Sequence, residues 1–439
     1  VNEIMNVLDR VAVVALVFVG CVTVAEAQTT TSIPASSSSR SGGNSNGSRF
    51  DVSLHVAEAY DDNLQADAGQ VTPSAYQTSG YYTLLAPTAT FEARGRRVQF
   101  AGMGGTNARY YSDFGEWLGT TTFGTAALAA QLAEQTTISV TQNVSYAPLS
   151  LNLFTALPSA GLIDPVPPTS DYATTEQKSY TYTSALTFTH GLSSRTAVSF
   201  KSDYRYADYK GILPGLTELR SYDAGARLLH NLDKNVTLRL GYTFRNAQYL
   251  AGRESLENTV DVGLDYARPL SASRKMLLSF SVGPTAYDGP LALDLDGATQ
   301  LYRLTAAASM TYPITRTWNA QAAYRRGTEY LESFAKPVFT NGFTVATGGS
   351  VSRRSDLAIS AAYSEGDPGL TGAQAPYTTS TASARYRVTF NRTWATYAEY
   401  LYYYYDFKQS LLLPQGVRPQ LTRNGVRVGL MLSMGTRGK

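Results

Sequence analysis

The chain carries one cysteine, Cys21, in 439 residues, which excludes both a disulfide framework and a cysteine-based metal site. Histidine is almost as scarce, with only His55, His190 and His230. Neither a Walker loop nor an HExxH stretch occurs, so no metal site and no cofactor is expected. Charged residues make up 16%, well below the quarter usual for soluble chains. The net charge is only +3 and the lysines and arginines are dispersed, which argues against a nucleic-acid partner. Beyond the N-terminal segment there is no apolar run of about 20 residues, so the body holds no candidate membrane helix. What abounds is tyrosine, 31 copies, six of them in Tyr397–Phe407 (YAEYLYYYYDF).

Val11–Val24 is an apolar stretch preceded by Arg10 and followed by Ala25-Glu26-Ala27. That is the pattern of a secretory signal peptide, expected over 1–27. Acylation at Cys21 is a weaker reading, because Phe18 is bulky where a smaller aliphatic is usual. Residues 28–48, rich in Ser, Thr, Gly and Asn, have little to bury and read as a flexible leader.

From 49 to 439 strict alternation dominates. Val236–Arg245 (VTLRLGYTFR) sets Val, Leu, Leu, Tyr and Phe on one face and Thr, Arg, Gly, Thr and Arg on the other. Val260–Tyr266 and Val426–Leu430 repeat the pattern, which is that of a two-faced β-strand. Short breakers such as Ser193–Arg195, Leu232–Asn235, Thr315–Thr317 and Asn391–Thr393 recur about every 40 residues, with longer irregular segments between them. A propeller blade shares that beat but needs four short strands per repeat. Each beat here holds two long runs, which suit tilted strands crossing an apolar membrane.

Long two-faced strands leave open edges unless the sheet closes on itself. The expected fold is therefore all-β, a transmembrane antiparallel up-and-down barrel. Its strands number about 18, from Phe50 to Met434; 16 is possible because Thr121–Leu132 and Val338–Val351 are least regular. Short turns belong in the periplasm and long loops outside. Trp318 and Trp394, just after turns, should join a lower aromatic girdle, with Tyr400, Tyr402 and Tyr404 in the upper one. Tyr397, Tyr403 and Tyr405 face the lumen, where they are candidates for stacking on a sugar ring.

Alternation also sets Lys201, Arg205, Arg227, Arg239, Arg245, Arg303, Arg325, Arg385, Arg387 and Arg427 inward as pore-lining candidates. Asp203, Asp223, Asp261, Asp265, Glu329 and Glu399 share that face. The basic excess should favour anions, although paired ions can simply brace a wall. His190 and His230 lie beside turns and read as interfacial, and Asp61-Asp62-Asn63 reads as a turn more readily than as a calcium site. An enzyme is not expected.

Two short segments carry a resemblance. Val56–Asn63 (VAEAYDDN) resembles the opening of the β-barrel porins associated with exopolysaccharide systems, where a strand runs into a Tyr-Asp-Asp-Asn-like step. Arg423–Leu430 (RNGVRVGL) is similar to that family's last strand. Arg427–Met434 also resembles the signature read by the barrel-assembly machinery, with aliphatic rather than aromatic final positions. The resemblance implies a role in moving or housing secreted polysaccharide and supplies no catalytic residues.

These observations together lead to an expectation of an integral protein of the Gram-negative outer membrane. It would pass an anionic exopolysaccharide passively through a basic, aromatic-lined lumen, with a periplasmic export partner possible. A general or small-solute diffusion porin is the alternative, narrowed by an inward loop such as Leu149–Gln177. A structural or adhesive barrel acting through its extracellular loops is the other. Ala306, Ala308, Ala320, Ala322, Ala382 and Ala384 fit either a flat wall for a homo-oligomer or tight strand packing.

Overall fold

A computed structural model describes residues 47–63, 79–112, 116–150, 173–209, 218–249, 253–271, 274–289, 299–330, 337–368, 377–407 and 420–437. The signal-peptide region, the leader as far as residue 46 and most of Leu149–Gln177 lie outside the described residues.

Every described element is a strand. The first nine are β1 (Gly47–Asp61), β2 (Gly80–Arg94), β3 (Val98–Tyr111), β4 (Glu116–Ala133), β5 (Thr136–Ser150), β6 (Ala173–Gly191), β7 (Thr196–Tyr209), β8 (Leu219–Asn231) and β9 (Val236–Tyr249). The others are β10 (Arg253–Ser271), β11 (Arg274–Gly289), β12 (Thr299–Pro313), β13 (Trp318–Glu329), β14 (Val338–Ser350), β15 (Ser355–Pro368), β16 (Tyr377–Thr389), β17 (Trp394–Phe407) and β18 (Gln420–Arg437). Each pairs antiparallel with its sequence neighbours, and β1 pairs with β18 from Arg49↔Arg437 to Asp61↔Gly425. The described residues form a closed 18-stranded transmembrane barrel. β1 begins at Gly47 and β18 runs to Arg437, both beyond the expected ends.

The outer face explains why closure suits this sequence. Phe200, Leu228, Leu240, Val262, Phe280, Val345, Ile359, Val428 and Leu430 are all exposed, on strands right around the barrel. A continuous apolar belt of this kind is tolerated only against lipid. At roughly 3.3 Å per residue and a tilt near 40°, even the 12-residue β13 crosses the ~25 Å apolar band.

One rim is built of tight turns closed by their own side chains. Ser193 Oγ accepts from the Thr196 amide at 3.1 Å, Thr315 Oγ1 from Trp318 N at 3.1 Å, and Ser352 Oγ from Ser355 N at 3.1 Å. Asn391 Oδ1 does the same for Thr393 and Trp394, at 2.8 and 2.9 Å. Such local acceptors fix a turn before any tertiary contact exists. Trp318 and Trp394 follow directly, and Trp394 is exposed to the outside as a girdle residue should be. His190 and His230 sit in the same zone, each with Nδ1 against a threonine hydroxyl, of Thr136 at 2.9 Å and of Thr196 at 3.0 Å.

Two ladders stop short of the opposite rim. β4 and β5 pair only up to Thr122↔Tyr146, and β12 and β13 only up to Ala306↔Arg326. The second interruption shapes the lumen.

Candidate functional site

Above Ala306↔Arg326, β13 remains paired with β14 as far as Glu329↔Val338, while β12 stays with β11 up to Thr299. The β13–β14 tip therefore leaves the wall and leans into the bore. Its landing place is the inner face of β7–β10. Arg245 Nη1 donates to the Thr328 carbonyl at 3.2 Å, and Arg205 Nη1 to the Tyr330 carbonyl at 3.2 Å. The Tyr330 ring packs with Ala207, Leu219, Ala247 and Tyr249, and its hydroxyl lies 3.2 Å from Ser255 Oγ. Phe339, on the same tip, is buried beside Tyr287 and Leu301, with the Arg303 guanidinium 4.6 Å from its ring centroid. An inward segment formed by this tip thus narrows the lumen; most of Leu149–Gln177, expected to do so, lies outside the described residues.

Beneath the tip lies a recess of about 300 Å³ in the wall of β7–β13. Small residues hollow it out: Gly225, Gly283 and Gly327 alternate with Ser199, Thr243, Thr285 and Thr305. Among the described residues all but one of its charges come as pairs, Arg326 being the exception. Lys201 Nζ lies 2.5 Å from Asp203, Arg227 Nη2 3.7 Å from Asp261, and Arg325 Nη1 2.8 Å from Glu329. In each the acid is tucked against the wall and the cation reaches into the space. Side-chain exposures are 58% against 23%, 44% against 10%, and 50% against 20%. Arg245 is held differently, by a fork of two 2.8 Å bonds to Asp223 with Glu257 at 3.5 Å. Arg239 with Asp265 reverses the order, the arginine covered and the acid exposed.

Where β16, β17, β18, β1, β2 and β3 meet, the same residue types are packed solid. Glu399 takes Arg385 at 3.0 Å and Arg427 at 2.5 Å, all three largely buried. Arg387 pairs with Asp356 at 2.8 Å. The Arg385 guanidinium lies 5.3 Å over Tyr397, and Arg109 lies 5.2 Å over Tyr82. The void left among Asp61, Tyr82, Arg109, Tyr403 and Arg423 is about 10 Å³, room for one water. The two segments that carried the family resemblance touch here. Arg423 Nε donates to Asp61 Oδ2 at 2.7 Å, and Asp62 accepts from both the Asn424 amide and its side chain at 2.7 Å. Asn63 Nδ2 reaches the Thr422 carbonyl at 3.2 Å. The Tyr-Asp-Asp-Asn step is thus a clasp across the β1–β18 closure.

Alternation could not say which of the inward candidates stay open. Tyr397, Tyr403 and Tyr405 point inward and are buried, at most 5% exposed, so their rings offer little free face to a sugar. Arg427 and Glu399 are buried braces, and Arg303 is stacked on Phe339. Lys201, Arg227 and Arg325 are the cations that keep open space in front of them. Glu257 and Asp356 were missed, although the alternations Ser255-Glu257-Thr259-Asp261 and Asp356-Ala358-Ser360 mark them. Tyr330 and Phe339 had no such signal, because the tip turns inward only where the β12–β13 ladder ends.

No family model matches the chain, and no curated protein matches it. Several solved barrels are similar in outline. OccAB4 of Acinetobacter baumannii is 10% identical, with a TM-score of 0.43 over 89% of this chain and 98% of its own. OccK11 (OpdR) of Pseudomonas aeruginosa is 10% identical, at 0.42 over 89% and 96%. The ferric-catecholate import receptor Fiu of E. coli K12 is 9% identical, at 0.41 over 89% and 82%. Likenesses this distant bear neither on the strand count nor on what passes through the bore.

Proposed function

We propose that the chain is an outer-membrane channel for small charged solutes with a preference for anions. The observation that carries this reading is the orientation of the recess ion pairs, with Lys201, Arg227 and Arg325 as the exposed partners. Balanced pairs arranged this way present positive ends to a passing solute, and low-dielectric walls sharpen their field. The inward β13–β14 tip supports a small cargo, since it occupies bore that a polymer would need. Export of an anionic exopolysaccharide rests on the two short segments of resemblance, and those residues are engaged in closing the barrel.

The test is conductance of the refolded protein in a planar bilayer under a salt gradient. Open channels with anion preference are expected. Lys201→Glu, Arg227→Glu and Arg325→Glu together should reverse the sign of the zero-current potential. Cation preference in the unaltered chain would end the reading. Block by an acidic polysaccharide, with no passage of small anions, would return the choice to export.

A further inference from the structure

We propose that the parting of β12 from β13 is a lateral exit, through which a single-chain anionic amphiphile passes from the recess into the outer leaflet. The inference rests on the barrel being an open channel and adds a second route out of it.

The geometry comes from both sides of the wall. β12 continues for seven residues, Thr299 to Thr305, beyond its last rung with β13, and β13 continues for three, Gly327 to Glu329. Backbone groups facing such a gap need substitutes for the missing ladder. Arg326 supplies one, its Nε donating to the Leu304 carbonyl at 3.2 Å. The same guanidinium lies 5.3 Å over the Phe339 ring. A flexible side chain thus closes the gap where the rest of the wall uses rigid backbone hydrogen bonds.

Arg326 alternates to the outer face of β13, yet it lines the lumenal recess together with Ala306, its partner on the last rung. The recess therefore reaches the gap from inside. No carboxylate pairs with Arg326 among the described residues. An ionisable group on the lipid side of a spanning segment points to function. Outside the gap stand Tyr302 and Leu304, 68% and 55% exposed, and just below it, on β13 and β14, Tyr324 and Phe343 are exposed as well.

Chemistry selects the cargo. A wholly polar solute loses water by leaving sideways and has no reason to do so. A solute with an alkyl chain gains by entering the outer leaflet. Its anionic head would find Arg325 in the recess and Arg326 at the gap, while its chain meets Leu304 and Phe343.

The gap can be locked at its lowest rung, and because Thr305 and Gly327 also line the recess, the reduced form of the same variant serves as the reference. A Cβ on Gly327 would lie 3.9 Å from Thr305 Cγ2, so Thr305→Cys with Gly327→Cys can form a disulfide one rung above the last. Radiolabelled oleate uptake is measured in Gram-negative cells that lack their own fatty-acid channel and express the barrel. The unlocked chain should raise uptake several-fold over empty-vector cells. The oxidised double variant should fall to the empty-vector rate and reduction of that same variant should restore uptake, with open channels in the bilayer in both states. Thr305→Cys alone and the heat-shifted gel mobility of the folded barrel control for misfolding. Uptake equal to empty vector from a conducting unlocked chain would overturn the proposal. So would full uptake from a chain whose disulfide is verified by mass. A chain that neither conducts nor transfers oleate would sink both this proposal and the channel reading.

Discussion

The wall around the β1–β18 closure and the wall of β7–β13 draw on the same inward chemistry and end in opposite states. Around the closure one carboxylate, Glu399, serves two arginines, tyrosines fill the remaining volume, and about 10 Å³ is left. In the recess most acids hold one cation, glycines and small hydroxyls stand where rings would be, and about 300 Å³ stays open. Residue type therefore does not separate a brace from a site. The neighbours' volume does, because it decides whether a guanidinium is walled in or reaches water.

That contrast is broken most directly by deleting one acid on each side. Glu399→Ala strands two buried guanidiniums and should cost about 3–5 kcal/mol in urea unfolding from micelles or vesicles. Asp261→Ala frees an arginine that is already 44% exposed and should cost under about 1 kcal/mol. It should also strengthen anion preference, since the recess loses a negative charge. Equal costs at the two positions would show that both clusters are braces.

A glycine pair sharpens the packing side of the comparison. A Cβ on Gly429 would lie 2.6 Å from Ala57 Cβ, 2.7 Å from the Val56 carbonyl and 3.0 Å from Tyr397 Cε1, so the ring packs this close to β18 only because residue 429 has no side chain. Gly429→Ala should cost about 1–3 kcal/mol by crowding Val56 and Ala57 on β1 and displacing the Tyr397 ring. Four residues earlier on the same strand, Gly425 has only ordinary contacts at 3.6 and 3.9 Å, and Gly425→Ala should stay within about 0.5 kcal/mol. Urea midpoints of the two variants in one lipid decide it; a Gly425→Ala as damaging as Gly429→Ala would remove the ring-over-glycine account.

Period-two alternation carried the fold because a strand in a lipid-facing barrel has no other way to satisfy both of its faces. It assigned Lys201, Arg227, Arg325, Tyr397 and Glu399 to the lumen from the local pattern alone. The turns were legible for the same local reason, with Ser193, Thr315, Ser352 and Asn391 accepting from amides two or three residues on. Burial was not legible, since Tyr397 is covered only once β18 brings Gly429 beneath it and β16 sets Arg385 over it. The inward tip was least accessible to reading. Nothing in Thr328-Glu329-Tyr330 says that Arg245 and Arg205, more than 80 residues upstream, will catch its carbonyls.

Tyr330 gives the smallest expected effect and the most specific one. Its ring fills the hollow of Ala207, Leu219, Ala247 and Tyr249, while its hydroxyl adds a single contact to Ser255. Tyr330→Phe keeps the ring and should cost about 1 kcal/mol or less, with conductance unchanged. Tyr330→Ala removes one anchor, leaving the tip held by Arg245 and Arg205 at the backbone carbonyls of Thr328 and Tyr330 and by Phe339 against Tyr287. Single-channel current should then rise and become noisier, because the narrowing segment can leave the wall it rests on. The three recess cations stay in place, so the ratio of anion to cation current should move far less than the current itself. A current that rises together with a loss of anion preference would show instead that the tip, and not the recess below it, sets the selectivity. An unchanged, quiet current in Tyr330→Ala would show that the bore is narrowed elsewhere.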